Sequence, residues 1–220
     1  MQNTFIGYGS MARVLAGRFK AAHDVTLAGH HPEKARAAAE ELGVAAEADT
    51  AAAVAQAEVV VIATPAGAVF DAVDGAGGPS AFAGKVVVDI NNPVPNHADG
   101  DFKLATFDDG PSLGEALQHR LPEAHVVKAF NTAQAKVWAL DPITFDGRKF
   151  SVPVCGDSND AKAEVIDLIE LMGAQAWDVG GIRYAGQLEA LAAMTIQLLF
   201  SGHDPHTVFN MIQPEQQPIG

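Results

Sequence analysis

The sequence predicts an α/β fold, a doubly wound parallel sheet with helices on both faces and a small, mostly helical C-terminal part. Apolar runs typical of strands alternate with helical patterns through the first two thirds of the chain, and such alternation implies crossovers between parallel strands. Val59–Ala63 is a continuous run dominated by β-branched residues, as expected for a strand covered on both faces. The third observation is a glycine turn between the first strand and the first helix.

That turn is Gly7–Ala12, which follows a short apolar run and has the spacing G-x-G-x-x-A. The spacing is the fingerprint of a dinucleotide-binding βαβ unit of the Rossmann type. In such a unit Gly7 makes the tight turn, Gly9 lets the backbone approach a pyrophosphate, and Ala12 keeps helix and strand close. The pyrophosphate is held by the unpaired N–H groups at the helix N-terminus. An ordinary strand–turn–helix with glycine at the bend is the alternative.

The remaining elements follow from apolar runs and from residues that start or stop helices. Pro32 suits the first turn of a helix that ends at Gly43, and Asp49 is placed to cap a short helix. Ser158 or Asn159 begins a further helix. The later strands are predicted at Asp24–Ala28, Val59–Ala63, Val86–Ile90, His125–Phe130, 150–155 and Ala174–Val179, and the later helices at Pro32–Leu42, 49–56, 67–73, 158–172 and 183–200.

The chain divides near residue 150 into a dinucleotide-binding domain, residues 1–150, and a C-terminal strand and helix extension, residues 151–220. The predicted helix from 183 to 200 is apolar over much of its circumference, so most of it must be buried. We expect a homodimer that packs through this helix, because little second domain is available to cover it. Burial of the helix against its own domain is the alternative.

Composition and charge narrow the class of protein. The 220 residues are 48% hydrophobic and carry a net charge of −13, which disfavours binding to the phosphates of a nucleic acid. No run of about 20 apolar residues predicts a membrane span, and no secretory signal is recognisable, so we expect no membrane partner. Cys155 is the only cysteine. We interpret it as a small buried residue of a cytoplasmic protein rather than as a nucleophile.

The candidate site consists of the residues that follow the predicted strands, because ligands of such sheets bind outside the carboxyl ends of the strands. The polar, turn-rich segment from Asn91 to Ser112 leaves one of these ends. We expect it to flank a substrate site, with a plain surface excursion as the alternative. The strand-end segments are Gly7–Ala12, Gly29–Lys34, Ala63–Ala66, Asn91–Pro93 and Asn131–Thr132.

The residues after the second strand favour NADP over NAD. An NAD site carries an acidic residue about 20 positions after the glycines, which bonds the ribose 2′-hydroxyl, whereas this chain has Gly29-His30-His31 there. The missing carboxylate, with His31, Lys34 and Arg36 nearby, suits a 2′-phosphate. The preference should strengthen below about pH 6.5, where histidine is charged. A solvated turn without a ligand is the alternative.

No metal site and no catalytic acid or base is predicted. His203 and His206 lie beside Asp204 in a proline-bearing tail without a further anchor for a metal. Hydride transfer between two flat heterocycles needs no acid; it needs the donor and acceptor carbons held about 3–3.5 Å apart. Surfaces for such a transfer are available at Thr64–Ala66, Asn92–Pro93 and Phe130–Thr132.

Five motifs occur in one order along nearly the whole chain, namely Gly7–Ala12, Val60–Pro65, Val88–Pro93, Val127–Thr132 and Asp178–Arg183 with Leu188-Glu189. The Lys-Ala-Phe-Asn-Thr run and the Asn-Pro after a buried strand are the most specific of them. Together they resemble the NADPH:F-420 oxidoreductase family. Its dinucleotide-binding domain passes hydride between NADP(H) and the deazaflavin coenzyme F-420, written F420 below.

The resemblance implies NADP(H) as cofactor and F420 as co-substrate, with positions carried over residue by residue. It implies the pyrophosphate at Ser10 and Met11, the 2′-phosphate near His30, His31 and Lys34, and the nicotinamide near Pro65, Ala66, Asn92 and Asn131. Family members usually carry Ser-Arg where this chain has His30-His31. The predicted cofactor-binding residues are Gly7, Tyr8, Gly9, Ser10, Met11, Ala12, His30, His31, Lys34, Thr64, Pro65, Ala66, Asn92, Pro93 and Asn131.

Other functions on the same scaffold stay open, because a fold does not settle the reaction. The cytoplasmic reductase domain of a metalloreductase family is similar too and has a different acceptor. A flavin or metal-chelate reductase is therefore the alternative enzyme. A noncatalytic NADP(H)-binding sensor is the alternative from another class of protein.

Overall fold

The strands form one large sheet and a short hairpin. The computed structural model describes residues 1–94, 104–105, 107 and 110–213. Within these ranges eight strands belong to the sheet and two to the hairpin. The sheet strands are β1 (Gln2–Ile6), β2 (Asp24–Ala28), β3 (Ala45–Ala46), β4 (Val59–Ile62), β5 (Val86–Asp89), β6 (His125–Lys128), β9 (Ser151–Gly156) and β10 (Gln175–Gly180), and the hairpin strands are β7 (Thr144–Phe145) and β8 (Arg148–Lys149).

The strand order confirms the predicted fold class. It runs β3-β2-β1-β4-β5-β6-β9-β10, and its first six strands have the order of dinucleotide-binding sheets. The pairs among these six strands are parallel. β9 pairs antiparallel with β6, while β10 pairs parallel with β9, so the sheet is mostly rather than wholly parallel. The strand order reverses between β1 and β4, where such sheets bind ligands.

Helices cover both faces of the sheet. In β4, Val59 and Val61 belong to one apolar core, while Val60 and Ile62 belong to the other, as the alternation of side chains along a strand requires. The helices are α1 (Ser10–Phe19), α2 (Pro32–Leu42), α3 (Thr50–Gln56), α4 (Val69–Gly75), α5 (Leu113–Arg120), α6 (Ala135–Trp138), α7 (Asn159–Leu171) and α8 (Ala185–Phe200), with short 3₁₀ turns at Ala66–Ala68, Pro79–Phe82 and Ile182–Tyr184.

Side-chain caps explain where several helices begin. The Asp49 carboxylate accepts the Ala51 N–H at 2.9 Å, which confirms its predicted role. Ser158 caps α7 in the same way. The helix α5 was not predicted, although Ser112 and Glu115 have the sequence spacing of a capping box. The Glu115 N–H donates to Ser112 Oγ, and this hydroxyl donates to the Glu115 carboxylate.

The residues after 150 extend the same sheet through β9 and β10 and add α7 and α8. The division of the chain near residue 150 stays a prediction. Most of the segment from Asn91 to Ser112, which we expect beside the substrate site, lies outside the described residues, and so does the end of the tail. No helix in the described ranges is long and apolar enough to cross a membrane.

Candidate functional site

The turn after β1 depends on glycine. Gly7 has a φ of +133°, and a Cβ at this position would overlap the carbonyl oxygen of Ala63 at the end of β4. Its N–H donates to the Ala28 carbonyl at 2.9 Å, so the turn is tied to β2 as well. Gly7 therefore makes the close turn predicted from the sequence, at the reversal of strand order.

The N-terminus of α1 is open. Its N-cap, Gly9, has extended dihedrals, and no side chain of the described residues caps the helix. The first helical hydrogen bond runs from Arg13 N to Gly9 O, so the N–H groups before Arg13 have no intrahelical partner. A Cβ on Gly9 would meet no described atom within 4 Å, whereas Ala12 is fully buried against the sheet. This open N-terminus has the chemistry of an anion site.

The end of β2 carries the residues predicted for the 2′-phosphate. His30 and His31 meet edge to face with ring centroids 4.8 Å apart, and His31 is the N-cap of α2. Their side chains and that of Lys34 are exposed. Glu33, which no sequence motif singles out, places its Oε1 3.7 Å from His31 Nδ1. The Tyr8 ring lies beside the neighbouring turn at Gly29.

Two asparagines connect the ends of β5 and β6. Asn131 Nδ2 donates to Asn92 Oδ1 at 2.8 Å and to the Leu188 carbonyl at 3.1 Å, while Asn92 Nδ2 donates to the Asn131 carbonyl at 2.8 Å. Within the described residues Asn131 Oδ1 and Thr132 Oγ1 have no hydrogen-bond partner, although Asn131 is 4% and Thr132 5% exposed. Buried polar atoms are normally paired, so both atoms are available to accept or donate a hydrogen bond to a ligand.

These side chains line a cleft of about 430 Å³ between the start of α1, the ends of β5 and β6, and the helices α6 and α8. It brings together the predicted residues Ser10, Met11, Asn92 and Asn131. The other predicted positions lie outside its lining, on the turn after β1, at the end of β2 and beside the strand ends; they are Gly7, Tyr8, Gly9, Ala12, His30, His31, Lys34, Thr64, Pro65, Ala66 and Pro93.

A larger depression of about 730 Å³ lies elsewhere, between the end of α5 and the start of α7. It is lined by His125, the first residue of β6, and by Asp157, which follows the antiparallel β9. It therefore opens at the amino edge of the parallel strands. Since ligands of these sheets bind at the carboxyl edge, the smaller cleft is the candidate functional site.

A buried ionic cluster lies behind this cleft, and the sequence analysis assigned it no role. Lys128 Nζ is 2.7 Å from Asp89 Oδ2 and 2.9 Å from Glu189 Oε1. All three side chains are at most 1% exposed. Burial lowers the pKa of the Lys128 ammonium, but the two carboxylates outweigh it and raise this pKa above its ordinary value. A sequence signal existed, because Asp89 and Lys128 are each a charged residue at the end of an apolar strand run; the sheet register then pairs their positions.

Neither Cys155 nor the tail histidines form a reactive centre. The Cys155 thiol is fully buried, and burial raises its pKa to about 12, as expected for an inert residue. His206 Nδ1 lies 2.8 Å from Asp204 Oδ1. Among the described residues, no group of three or more His, Cys, Asp or Glu side chains could hold a metal.

Known proteins resemble this chain in sequence. A family model described as "NADP oxidoreductase coenzyme F420-dependent" matches residues 3–93. Metalloreductase STEAP3 of Rattus norvegicus is 34% identical over 110 residues, which are 50% of this chain and 20% of that protein. The F420-dependent NADP reductase of Methanocaldococcus jannaschii is 33% identical over 118 residues, 52% of this chain and 51% of that protein. The aligned regions thus span a fifth and about half of these two relatives.

Similarity to a solved structure extends over nearly the whole chain. The crystal structure of a candidate F420-dependent NADP-reductase from Arthrobacter sp. FB24 superimposes with a TM-score of 0.85. The two sequences are 31% identical, and the match covers 96% of this chain and 99% of that one. The similarity therefore includes the residues after 150 as well as those before it.

Proposed function

We propose, on the premise that the chain belongs to the family of coenzyme F420-dependent NADP oxidoreductases, that it binds NADP(H) and exchanges hydride with coenzyme F420. The observation that carries the proposal is the cleft at the carboxyl edge of the sheet. Its lining includes the open N-terminus of α1 and the unpaired Asn131 Oδ1. The nicotinamide mononucleotide half of NADP(H) carries a phosphate and a carboxamide. The open helix N-terminus suits the phosphate, and the Asn131 acceptor suits the carboxamide.

The pyrophosphate is assigned to the N–H groups of Ser10 and Met11. Both residues line the cleft, and Gly9 leaves space for a close approach of the phosphates. A helix N-terminus binds an anion through its unpaired N–H groups and its dipole, which matters in a chain of net charge −13. Ala12 and Gly7 serve the same assignment indirectly, because they hold α1 and β1 in place.

The 2′-phosphate is assigned to His30, His31 and Lys34. The exposed histidines and lysine sit at the start of α2, where the helix dipole adds to the positive charge of Lys34. Glu33 opposes the assignment locally, since its carboxylate lies 3.7 Å from His31 Nδ1. We infer a preference for NADP(H) that is weaker than an arginine at this position would provide.

The nicotinamide is assigned to Asn92 and Asn131, with Thr64, Pro65, Ala66 and Pro93 beside them. Asn131 Oδ1 is a fixed acceptor, because Asn131 Nδ2 is already engaged by Asn92 and Leu188. It suits an N–H of the nicotinamide carboxamide, and Thr132 Oγ1 is a second unpaired partner. When bound, NADP(H) supplies or accepts the hydride; the side chains of this chain hold the ring against the strand ends and need supply no proton.

We propose the hydride acceptor from the relatives of this chain. F420 comes first, because the family and the relatives from Methanocaldococcus jannaschii and Arthrobacter are named for it. A metal-chelate or flavin acceptor is the second candidate, since a metalloreductase shares 34% identity over 110 residues. We also propose a cytoplasmic location, which the single buried cysteine supports.

We further propose that a second copy of the chain covers α8. Only five of its 16 residues are buried, although the helix is strongly apolar. Met194 is 56% exposed, and Leu191 and Leu198 are half-buried. An exposed apolar helix face of this kind marks an interaction surface. Light scattering tests the proposal, and Met194→Glu should shift a dimer toward the monomer.

Anaerobic mixing of the purified protein with NADPH and F420 tests the main proposal, with deazaflavin absorbance as the readout and NADH in a parallel cuvette. Rapid bleaching with NADPH and slow bleaching with NADH are expected. Nucleotide binding without bleaching would overturn F420 as acceptor and would direct the assay to ferric chelates and flavins. Absence of NADPH binding in calorimetry would overturn the cofactor assignment itself.

A further inference from the structure

The ionic cluster behind the cleft is fully hydrogen-bonded. Lys128 Nζ has three acceptors, namely Asp89 Oδ2 at 2.7 Å, Glu189 Oε1 at 2.9 Å and the Asn91 carbonyl at 2.5 Å. An ammonium has three N–H donors, so each is used once. A neutral amine would leave one of these buried acceptors without a donor, which is costly. The geometry therefore identifies Lys128 as a charged ammonium.

Among the described residues, every hydrogen-bond partner of the Asp89 and Glu189 carboxylates is an N–H donor. Asp89 Oδ1 accepts the backbone and side-chain N–H groups of Asn91 at 2.9 and 3.1 Å. Glu189 accepts the backbone N–H groups of Leu113 and Gly114, at the start of α5, at 3.2 and 3.1 Å. A protonated carboxyl would need an acceptor for its own O–H, and none of these partners is one. With two carboxylates and one ammonium, the cluster carries one net negative charge.

The cluster is directly connected to the cleft. Asp89 is followed by Ile90, which lines the cleft, and Glu189 lies one helical turn before Ala192, which also lines it. The Leu188 carbonyl, adjacent to Glu189, accepts a hydrogen bond from Asn131 Nδ2. The negative charge thus lies immediately behind the two asparagines to which the nicotinamide is assigned. Water is excluded from it, so screening by solvent is weak.

Positive groups near the cluster reduce its field only partly. The N-terminus of α5 faces Glu189 and contributes a partial positive charge of about half a unit, which is smaller than the net charge of the cluster. Lys136 lines the cleft, but its side chain is exposed to solvent. Neither group therefore cancels the negative charge on the nicotinamide side.

We propose that the Asp89–Lys128–Glu189 cluster sets the redox-state preference of the nucleotide site, favouring NADP⁺ over NADPH. The oxidised nicotinamide ring is positively charged and the reduced ring is neutral, so a buried negative charge stabilises the oxidised form selectively. A unit charge roughly 10 Å from such a ring, at an effective dielectric constant of about 20, changes the relative affinity by roughly 15-fold. The inference rests on the proposed placement of the nicotinamide at Asn92 and Asn131.

The test is the ratio of the NADP⁺ and NADPH dissociation constants, measured by titration calorimetry on the full chain. Asp89→Asn and Glu189→Gln each remove one negative charge, from β5 and from α8 respectively. Each should raise the dissociation constant of NADP⁺ about fivefold or more relative to that of NADPH. If one of the two variants fails to fold, as thermal unfolding would show, the other still provides the measurement.

Two control variants separate charge from packing. Lys128→Arg disturbs the hydrogen bonds but keeps the charge, so the ratio should stay within about twofold of wild type. Glu170→Gln removes an exposed carboxylate of α7 and should leave the ratio unchanged. Equal weakening of both nucleotides by the neutralising variants, or a Lys128→Arg shift as large as theirs, would overturn the inference. If the wild type bound neither nucleotide, the proposed function itself would fail.

Discussion

Asn131 and Asn92 hold each other in place across the ends of β6 and β5, through two hydrogen bonds of 2.8 Å. The pair fixes the orientation of the Asn131 amide. Its Nδ2 is turned toward Asn92 and Leu188, and its Oδ1 is left without a partner among the described residues. The free acceptor is therefore a property of the folded protein, available before any ligand arrives.

Asn131→Ala should lower the affinity for NADPH by about tenfold, because one hydrogen bond contributes about 1–1.5 kcal/mol. It should also destabilise the nucleotide-free protein, since Asn92 Oδ1 and the Leu188 carbonyl lose their donor. Calorimetric titration and urea unfolding measure the two effects separately. An unchanged affinity in a folded variant would contradict the assignment of the nicotinamide.

The neighbouring Thr132→Val is the matched comparison. It removes a buried hydroxyl that has no partner in the described structure, so the nucleotide-free protein should be as stable as wild type or more stable, by up to about 1 kcal/mol. A clear loss of stability would show that the hydroxyl is already satisfied without a ligand.

The two glycines of the first turn predict opposite outcomes for the same substitution. Gly7→Ala should destabilise the fold by at least about 2 kcal/mol, because it combines a φ of +133° with overlap against the Ala63 carbonyl. Gly9→Ala should change stability by less than about 0.5 kcal/mol, since its dihedrals are ordinary and the space is open. It should nevertheless weaken NADPH binding, because the Cβ fills the space assigned to the pyrophosphate. Urea unfolding and nucleotide titration of both variants check this.

The sequence was sufficient for elements whose chemistry is local. The glycine turn, the Asp49 cap and the β-branched strand β4 each depend on neighbouring residues, and each was predicted correctly. The direction of β9 was not predictable, because a strand buried on both faces has the same pattern whether it is parallel or antiparallel. Strand direction depends on the path of the chain between strands, which the side chains of β9 do not encode.

The candidate site was predictable only where it depends on the position of residues along a strand. Strand ends indicated Asn92 and Asn131, because ligands of these sheets bind at that edge as a rule. Their mutual hydrogen bonds and the Asp89–Lys128–Glu189 cluster depend on side chains as far as 100 residues apart in sequence, since Asp89 and Glu189 meet on one lysine. Pairing of this kind requires the fold, and a charged residue within an apolar run is the signal that it leaves in the sequence.

The ion pair between Asp178 and Lys162 predicts how stability depends on pH. Burial raises the pKa of Asp178, but the hydrogen bonds from Lys162 and from the Gly180 N–H outweigh it, and the pKa lies below its ordinary 3.8. The stabilisation is therefore complete above the unfolded-state pKa and is lost as the pH falls through the folded-state pKa. Asp178 is 44% exposed, so after allowance for solvent screening Asp178→Asn should cost about 0.5–1 kcal/mol near neutral pH.

Urea unfolding of wild type and Asp178→Asn at pH 7 and at pH 3 measures this contribution. The difference in unfolding free energy should be largest at pH 7 and smaller at pH 3, where the unfolded carboxyl is protonated. A difference that is the same at both pH values would show that the substitution acts through packing and not through the charge of Asp178.

The side chains at the start of α2 should distinguish NADPH from NADH through the 2′-phosphate. His31→Ala combined with Lys34→Ala should weaken NADPH about 10- to 150-fold, the equivalent of one charge-assisted hydrogen bond of about 1.5–3 kcal/mol. NADH, which lacks the 2′-phosphate, should lose less than about twofold. Fluorescence titration with both nucleotides measures the two affinities. Equal losses for NADPH and NADH would show that these side chains do not contact the 2′-phosphate.

Glu33→Gln, at the start of the same helix, should change the affinity for NADPH in the opposite direction. Its carboxylate lies 3.7 Å from His31 Nδ1, where it competes with a 2′-phosphate for the imidazole and repels the phosphate directly. Removing this charge should tighten NADPH about two- to fivefold, as expected for an exposed charge pair of up to about 1 kcal/mol, and should leave NADH unchanged. The gain should shrink at high salt, because exposed charges are screened within about 10 Å at 0.1 M ionic strength. A gain that is equal for both nucleotides, or insensitive to salt, would place the 2′-phosphate away from His31.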